Sequence, residues 1–110
     1  MLPKERRLTR RQFWQVHEQG ITDHGSQMTV KYIRNDVGYS RWAVVTSAKI
    51  SKKAVVRNSL RRRIYRALST QRVARSVDAI LFPKASMLNL SDAEISIELD
   101  QVVSKVLKLA

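Results

Sequence analysis

Arginine and lysine side chains are the groups in this chain best suited to chemistry with a ligand. Eleven of them lie between Val37 and Val77, an interval that contains no Asp or Glu. Guanidinium groups hold phosphate oxygens through paired hydrogen bonds, and Asn58 in the same stretch can reach a base edge or a sugar hydroxyl. Such a surface repels itself unless a polyanion neutralises it. The pattern therefore predicts a nucleic-acid ligand.

Groups for a catalytic centre built by the protein itself are scarce. His17 and His24 are the only two histidines, and their spacing across Gly20 matches no metal-binding pattern. Asp92 and Glu94 lie at the start of one capped helix, whereas a two-metal nuclease centre needs carboxylates that converge from different elements. The 3 glycines form no phosphate-binding loop. We predict no catalytic residue and no metal ligand in this chain.

The charge is large and unevenly distributed along the sequence. The net charge is +12 and the pI is about 11.0, whereas a surface built for solubility alone usually mixes both signs. Residues 1–12 hold five basic residues and one acidic residue, and residues 78–110 hold three basic and five acidic residues. The C-terminal part is therefore expected to face away from the polyanion.

Length and composition indicate one compact domain over residues 1–110. The chain is 44% hydrophobic and has no cysteine, which excludes disulfides and thiolate metal sites. The opening MLPKERRLTRR lacks the apolar segment of a signal peptide, and no run of eighteen apolar residues occurs. We expect a soluble, cytoplasmic protein.

Hydrophobic spacing and capping signals predict the first elements. Thr9 and Gln12 form a capping box for a helix from about Arg10 to Gln19, which Gly20 ends. The polar stretch 21–27 supports only a short edge strand or a loop. Residues 28–34 and 41–48 read as two strands, which we expect to form a hairpin.

A basic helix is expected to begin after Ile50, capped by Ser51, and to continue at least to Leu68. The apolar run 78–82, ended by Pro83, predicts a buried strand parallel to its predecessor. A second capping box at residues 91–94 starts the last helix. The order α-β-β-β-α-β-α, or the same with one strand fewer, describes an α+β sandwich.

The basic helix also carries a resemblance to a known family. Residues 54–62, AVVRNSLRR, preceded by Ser47-Ala48-Lys49, resemble the bacterial ribonuclease P protein subunit. The likeness extends to the opening 2–8 with Phe13 and Val16, and to the strand 79–83 before a closing helix. It spans nearly the whole chain.

The resemblance implies a small α/β sandwich and a left-handed β-α-β crossover, although such connections are right-handed in about 98% of cases. It implies that the catalyst is an RNA subunit with bound Mg²⁺, which removes the 5′ leader of precursor tRNA. The partners would be this catalytic RNA and precursor tRNA, with the protein monomeric in the ribonucleoprotein. By position, catalytic RNA would be bound by Lys53, Arg57, Asn58, Arg61, Arg62 and Arg66, and the leader cleft would include or border Phe13, His17, Lys31 and Lys49.

Three departures from the family pattern affect these surfaces. Ser59 replaces the second Arg of an Arg-Asn-Arg sequence, a loss that Arg63 would offset. His17 and Lys31 stand at positions that are commonly aromatic. A leader cleft in this chain would therefore depend more on charge and less on stacking. Trp42 is predicted to be core, whereas Phe13 is a candidate platform for an unpaired base.

Other functions remain open from the sequence. A structural or ribosome-associated RNA-binding protein has the same composition, and only the Arg57-Asn58 helix in its β-α-β context favours the ribonuclease P subunit. DNA recognition would require a neighbouring helix-turn-helix partner or a dimerisation zipper, and neither pattern is present. Membrane association is disfavoured because the apolar stripe of the basic helix is narrow and aliphatic.

Overall fold

The elements follow the predicted order along the chain. The computed structural model describes residues 2–70 and 76–109, with side chains to residue 106. The predicted contributions of Arg72, Arg75 and Leu107 therefore lie outside what is described. The described elements are α1 (Arg10–Gln19), β1 (Ile21–His24), β2 (Met28–Arg34), β3 (Arg41–Val44), α2 (Ala54–Ser69), β4 (Val77–Pro83) and α3 (Asp92–Leu109), with short 3₁₀ helices at Lys4–Arg6 and Ala85–Asn89.

The four strands form one sheet in the order β1-β2-β4-β3, and the predicted β2–β3 hairpin is wrong. Strand β4 lies between them, antiparallel to β2 and parallel to β3 as its apolar sequence predicted. Six of its seven residues are buried, so β4 gains most from the central position, where both faces are covered. The left hand of the β3-α2-β4 crossover stays a prediction from the resemblance.

Alternation along the strands separates the two faces of the sheet. Met28, Val30 and Tyr32 of β2 are buried in the main core with residues of α2 and α3. Leu60 and Ile64 bring the apolar stripe of α2 into the same core, and their exposed fractions are 1% and 0%. Trp42 belongs to this core, as predicted. The opposite face of β2 therefore carries Thr29, Lys31 and Ile33.

Helix α1 packs on this opposite face, against β2 and β4, where Val16 and Ile80 are fully buried. Its start is as predicted, because Thr9 and Gln12 form both bonds of the capping box. The helix ends at Gly20, whose N–H donates to the carbonyl of Val16 at 2.7 Å. A Cβ at position 20 would lie 2.4 Å from that oxygen, so this close approach requires glycine.

Helix α2 begins later than predicted. Its N-cap residue is Lys53, without a side-chain cap, and the helix starts at Ala54. The Ser51 hydroxyl accepts from the N–H of Lys53 at 3.2 Å, which closes a turn before the helix instead of capping it. The Arg57 guanidinium donates to the carbonyls of Ser51 and Lys52 at 2.9 and 3.1 Å, so a side chain from inside the helix secures its entry.

Candidate nucleic-acid interface

The part of the sheet that α1 leaves uncovered forms a groove. We call it the sheet groove; its cavity is about 590 Å³, and its lining includes Thr29, Val45, Ser47, Lys49, Phe82 and Lys84. Thr29 and Phe82 are cross-strand partners on β2 and β4. Lys31 follows Thr29 by two residues on the same face of β2, so it lies roughly 7 Å farther along the strand, outside the lining itself.

Three of the four predicted cleft residues meet at α1, on the same face of the sheet as the groove lining. The rings of Phe13 and His17 lie nearly parallel, at an interplanar angle of 24° and a centroid distance of 6.1 Å. The Lys31 ammonium donates to the His17 carbonyl at 3.0 Å, near the negative end of α1. This contact anchors a charged strand residue to the aromatic side of the helix.

Lys49, the fourth predicted cleft residue, lines the other part of the groove. Its side chain is exposed and extends from the loop after β3, near Thr29 and Phe82. The structure thus brings Phe13, His17 and Lys31 together and places Lys49 on the same face of the sheet.

Two aromatic residues extend the surface beyond the predicted cleft set. Trp14 is 49% exposed and makes edge contacts to Phe13 and His17, each at 5.4 Å between centroids. Phe82 is half-buried in the groove lining. In the sequence, Phe82 belongs to the apolar run of β4 and is therefore interpreted as a core residue. Because Phe82 follows Ile80 by two residues, its side chain lies on the same face as Ile80, the face on which α1 packs. Phe82 thus supplies an aromatic surface near the position where Lys31 departs from the family.

The predicted RNA-binding residues of α2 and its N-cap fall into two groups. Lys53, Arg62 and Arg66 are exposed, whereas Arg57, Asn58 and Arg61 are half-buried. Arg61 donates to the Asn58 side-chain oxygen at 2.8 Å, so these two residues act as a pair. The pair leaves the Asn58 amide N–H groups and most guanidinium donors of Arg61 for a ligand.

Arg57 is held at the entry to α2 but keeps donors for a ligand. One nitrogen of its guanidinium, Nη1, donates to the carbonyls of both Ser51 and Lys52. These bonds engage only part of the group, because a guanidinium carries five N–H donors. Arg57 can therefore stabilise the entry turn and still contact a phosphate.

Arg63 forms hydrogen bonds within the folded domain. Its guanidinium donates to Asp92 at 2.7 Å and to the Leu90 carbonyl at 2.6 Å, and so joins α2 to the start of α3. Arg63 would have to break these bonds to serve in place of the arginine that Ser59 replaces. The expected compensation by Arg63 is therefore unsupported by its geometry.

A buried ion pair, absent from the sequence prediction, holds the other end of the sheet. Asp78 of β4 accepts two hydrogen bonds from Arg41 of β3, both at 2.8 Å, and one from Asn35 at 2.7 Å. The hydrogen bond with Asp78 raises the pKa of the Arg41 guanidinium above its ordinary value. Because Arg41 and Asp78 are also register partners, this network fixes the alignment of β3 and β4.

Two features are absent from the described residues. No group of three or more His, Cys, Asp or Glu side chains is arranged to hold a metal ion. No helix in the same residues is long and apolar enough to cross a membrane.

Comparisons with known proteins agree on one family. The family model described as Ribonuclease P matches residues 2–107. The ribonuclease P protein component of Prochlorococcus marinus (strain MIT 9301) is 42% identical over 74 residues, covering 56% of this chain and 58% of that protein. The corresponding protein of Pseudanabaena sp. (strain PCC 6903) is 34% identical over 82 residues, covering 73% of this chain and 70% of that protein. The chain thus spans less than two thirds of the length of the Prochlorococcus relative.

Solved structures show the same fold. The RNase P protein from Thermotoga maritima superposes with a TM-score of 0.79 at 21% identity, covering 90% of this chain and 96% of that chain. A Staphylococcus aureus RNase P protein mutant with defective mRNA degradation activity gives 0.79 at 21% identity, with coverages of 96% and 90%. The fold and the match over residues 2–107 lead to one conclusion: the chain belongs to the ribonuclease P protein family.

Proposed function

We propose that this chain is the protein subunit of ribonuclease P. In this role it binds the catalytic RNA through α2 and the 5′ leader of precursor tRNA in the sheet groove, and so assists endonucleolytic removal of the leader. The observation that carries the proposal is the family match over residues 2–107, which includes both surfaces. Hydrolysis and the Mg²⁺ that supports it are assigned to the RNA subunit, within a cytoplasmic ribonucleoprotein that holds one copy of this chain.

The sheet groove suits a single-stranded leader. Unpaired bases stack on aromatic faces at roughly 1–3 kcal/mol per base; Phe82 lines the groove, and Phe13 and His17 present rings on the same face of the sheet. Lys31 and Lys49 place positive charge on the same face, where the leader phosphates would pass. This arrangement recognises a flexible strand by stacking and charge, with little dependence on its sequence.

Helix α2 suits a folded RNA with closely spaced phosphates. Its buried stripe of Leu60, Ile64 and Leu68 fixes the helix on the core, so the exposed arginines project from a rigid backbone. The Asn58–Arg61 bond removes further freedom before binding, which lowers the entropy cost of forming phosphate contacts. The binding energy would then appear as affinity for the catalytic RNA.

The charge of the protein accounts for its contribution to the reaction. A catalytic RNA and a precursor tRNA are both polyanions, and their mutual repulsion is screened over roughly 8–10 Å by physiological salt. A domain of net charge +12 between them offsets part of that repulsion. The protein would therefore help most with substrates whose leader enters the sheet groove.

A structural or ribosome-associated RNA-binding role is the alternative. The α2 surface alone would serve either function, since it offers phosphate contacts without a preference for any particular processing reaction. The groove with Phe13, Lys31 and Lys49 favours the leader-binding role, because a purely structural RNA protein has no need for a single-strand site.

Replacing Lys49 with Gln tests the groove. Lys49 is exposed and outside α2, so the fold and the catalytic-RNA surface should stay intact. With a holoenzyme assembled on a ribonuclease P RNA, we expect precursor affinity to fall about threefold for a long leader, as for the removal of one phosphate interaction. Affinity for a leaderless substrate should not change, and an equal loss for both substrates would contradict leader contact at Lys49.

A further inference from the structure

The basic N-terminal segment is not explained by either surface described above. Lys4, Arg6 and Arg7 lie in and next to a short 3₁₀ helix, and Glu5 is the single acid among them. Within the described residues, none of these three cations forms an ion pair or a side-chain hydrogen bond. Such a cluster of one sign points to an anionic partner, because a surface built for solubility alone usually mixes both signs, and residues 1–12 carry five cations and one acid.

The backbone of this segment is fixed on the folded domain. Leu2 is only 3% exposed and belongs to the main core. The N–H of Leu8 donates to the Trp42 carbonyl at 2.9 Å, and Arg7 forms a parallel bridge with Trp42 on β3. The capping box of α1 follows at once at Thr9. The cations are therefore presented from a defined backbone at the edge of the sheet.

The same edge of β3 also carries the basic helix. The N–H of Val44 donates to the Tyr65 hydroxyl of α2 at 3.2 Å. Backbone polar groups of successive strand residues point to alternate edges of the strand, and the N–H of Val45 points to Leu81 of β4. Trp42 and Val44 therefore direct their backbone groups to the outer edge of β3. Two strand residues span roughly 7 Å, so the N-terminal segment and α2 are neighbours along this edge.

The neighbouring face of α2 is basic. Arg61 and Arg62 stand four and three residues before Tyr65, one helical turn away, and thus on the same side of the helix. Asp78 of β4 is the register partner of Arg41 on β3, and Arg41 already neutralises its charge. Cations therefore flank the β3 edge on both sides, Arg61 and Arg62 from α2 and Arg7 from the N-terminal segment.

From the common position of these cations along the β3 edge we infer that Lys4, Arg6 and Arg7 form a second contact with phosphates of the RNA that α2 binds, which the proposed function identifies as the catalytic RNA. The inference rests on that function and extends it: the catalytic RNA lies across both α2 and the N-terminal segment. The leader lies apart from this contact, in the sheet groove.

The test compares the double variant Lys4→Gln/Arg7→Gln with the unaltered chain in binding to a ribonuclease P RNA over a range of salt. We expect affinity to fall about tenfold and the negative slope of log K against log salt to become shallower by roughly 1.4–1.8, as for the removal of two phosphate interactions. Lys105→Gln is the charge control, since Lys105 pairs with Asp23 at the opposite edge strand β1; its slope should stay near that of the unaltered chain.

Two further measurements complete the test. Because both side chains are exposed, the urea midpoint of the double variant should match that of the unaltered chain. An unchanged salt slope, or a loss seen only with leader-bearing precursor, would overturn the inference while leaving the proposed function standing. If the unaltered chain shows no preference for ribonuclease P RNA over an unrelated structured RNA, the proposed function itself fails.

Discussion

Asp78→Ala should destabilise the protein by about 3–5 kcal/mol, because it leaves a largely buried guanidinium without its counter-ion. Asp78 is 3% exposed and accepts from both Arg41 and Asn35. Removing the carboxylate leaves donors of both residues without an acceptor at the point where β3 and β4 are aligned. The free energy of unfolding, from urea denaturation followed by circular dichroism, measures the loss.

Asp92→Ala is the matched control for that prediction. It also deletes an aspartate paired with an arginine, but the Asp92 side chain is 70% exposed and its partner Arg63 keeps the bond to Leu90. An exposed pair of this kind contributes about 0–1 kcal/mol. Equal losses for the two variants would show that burial does not determine the importance of the Arg41–Asp78 pair.

Arg62→Glu combined with Arg66→Glu should weaken binding to the catalytic RNA about a hundredfold. An exposed ionic contact contributes about 0.2–1 kcal/mol, so removing one costs roughly threefold in affinity, and each new carboxylate adds a repulsion of similar size. Both side chains are exposed, so the folded structure should persist. Equilibrium binding at several salt concentrations measures the effect and should show a reduced salt slope.

Single variants distinguish the effect of a charge on α2 from the effect of the net charge of the whole protein. Arg62→Glu and Lys105→Glu change the net charge equally, but Lys105 lies on α3, where it pairs with Asp23. We expect about tenfold weaker binding for the first and little change for the second. A similar loss in both would mean that the RNA responds to net charge and that α2 has no special role.

Local signals in the sequence predicted local structure well. The capping boxes at Thr9 and Ser91 form as expected, because each depends on side chains three residues apart. The predicted α2 start was wrong because Ser51 can bond the N–H two residues on as easily as it can cap a helix. Arg57 then secures the entry turn from within α2, a contact that no local pattern indicates.

Long-range pairing limited the rest of the fold prediction. Residues 28–34 and 41–48 are adjacent in sequence, so a hairpin was the natural expectation, but the more apolar β4 takes the place between them. The Arg41–Asp78 pair was missed for the same reason. Arg41 and Asp78 are 37 residues apart in the sequence, and Asp78 stands at the start of an apolar run, where no local pattern indicates an ionic partner.

The candidate site likewise combines residues that local spacing predicts with residues that depend on long-range contacts. The arginines of α2 could be predicted because a basic face opposite an apolar stripe follows from helical spacing alone. Family resemblance supplied Phe13, His17 and Lys31, and their contact depends on α1 crossing the sheet. Phe82 could be recognised only after the register with Thr29 placed it on the groove face.

Cleavage of precursor tRNA by a bacterial ribonuclease P RNA, with and without this chain, tests the central claim most directly. At near-physiological Mg²⁺ we expect the chain to stimulate cleavage, more for a long 5′ leader than for a substrate with a minimal one. The chain without RNA should cleave nothing. Tight, salt-sensitive binding to the RNA without any stimulation would contradict the subunit role and favour a structural RNA-binding protein.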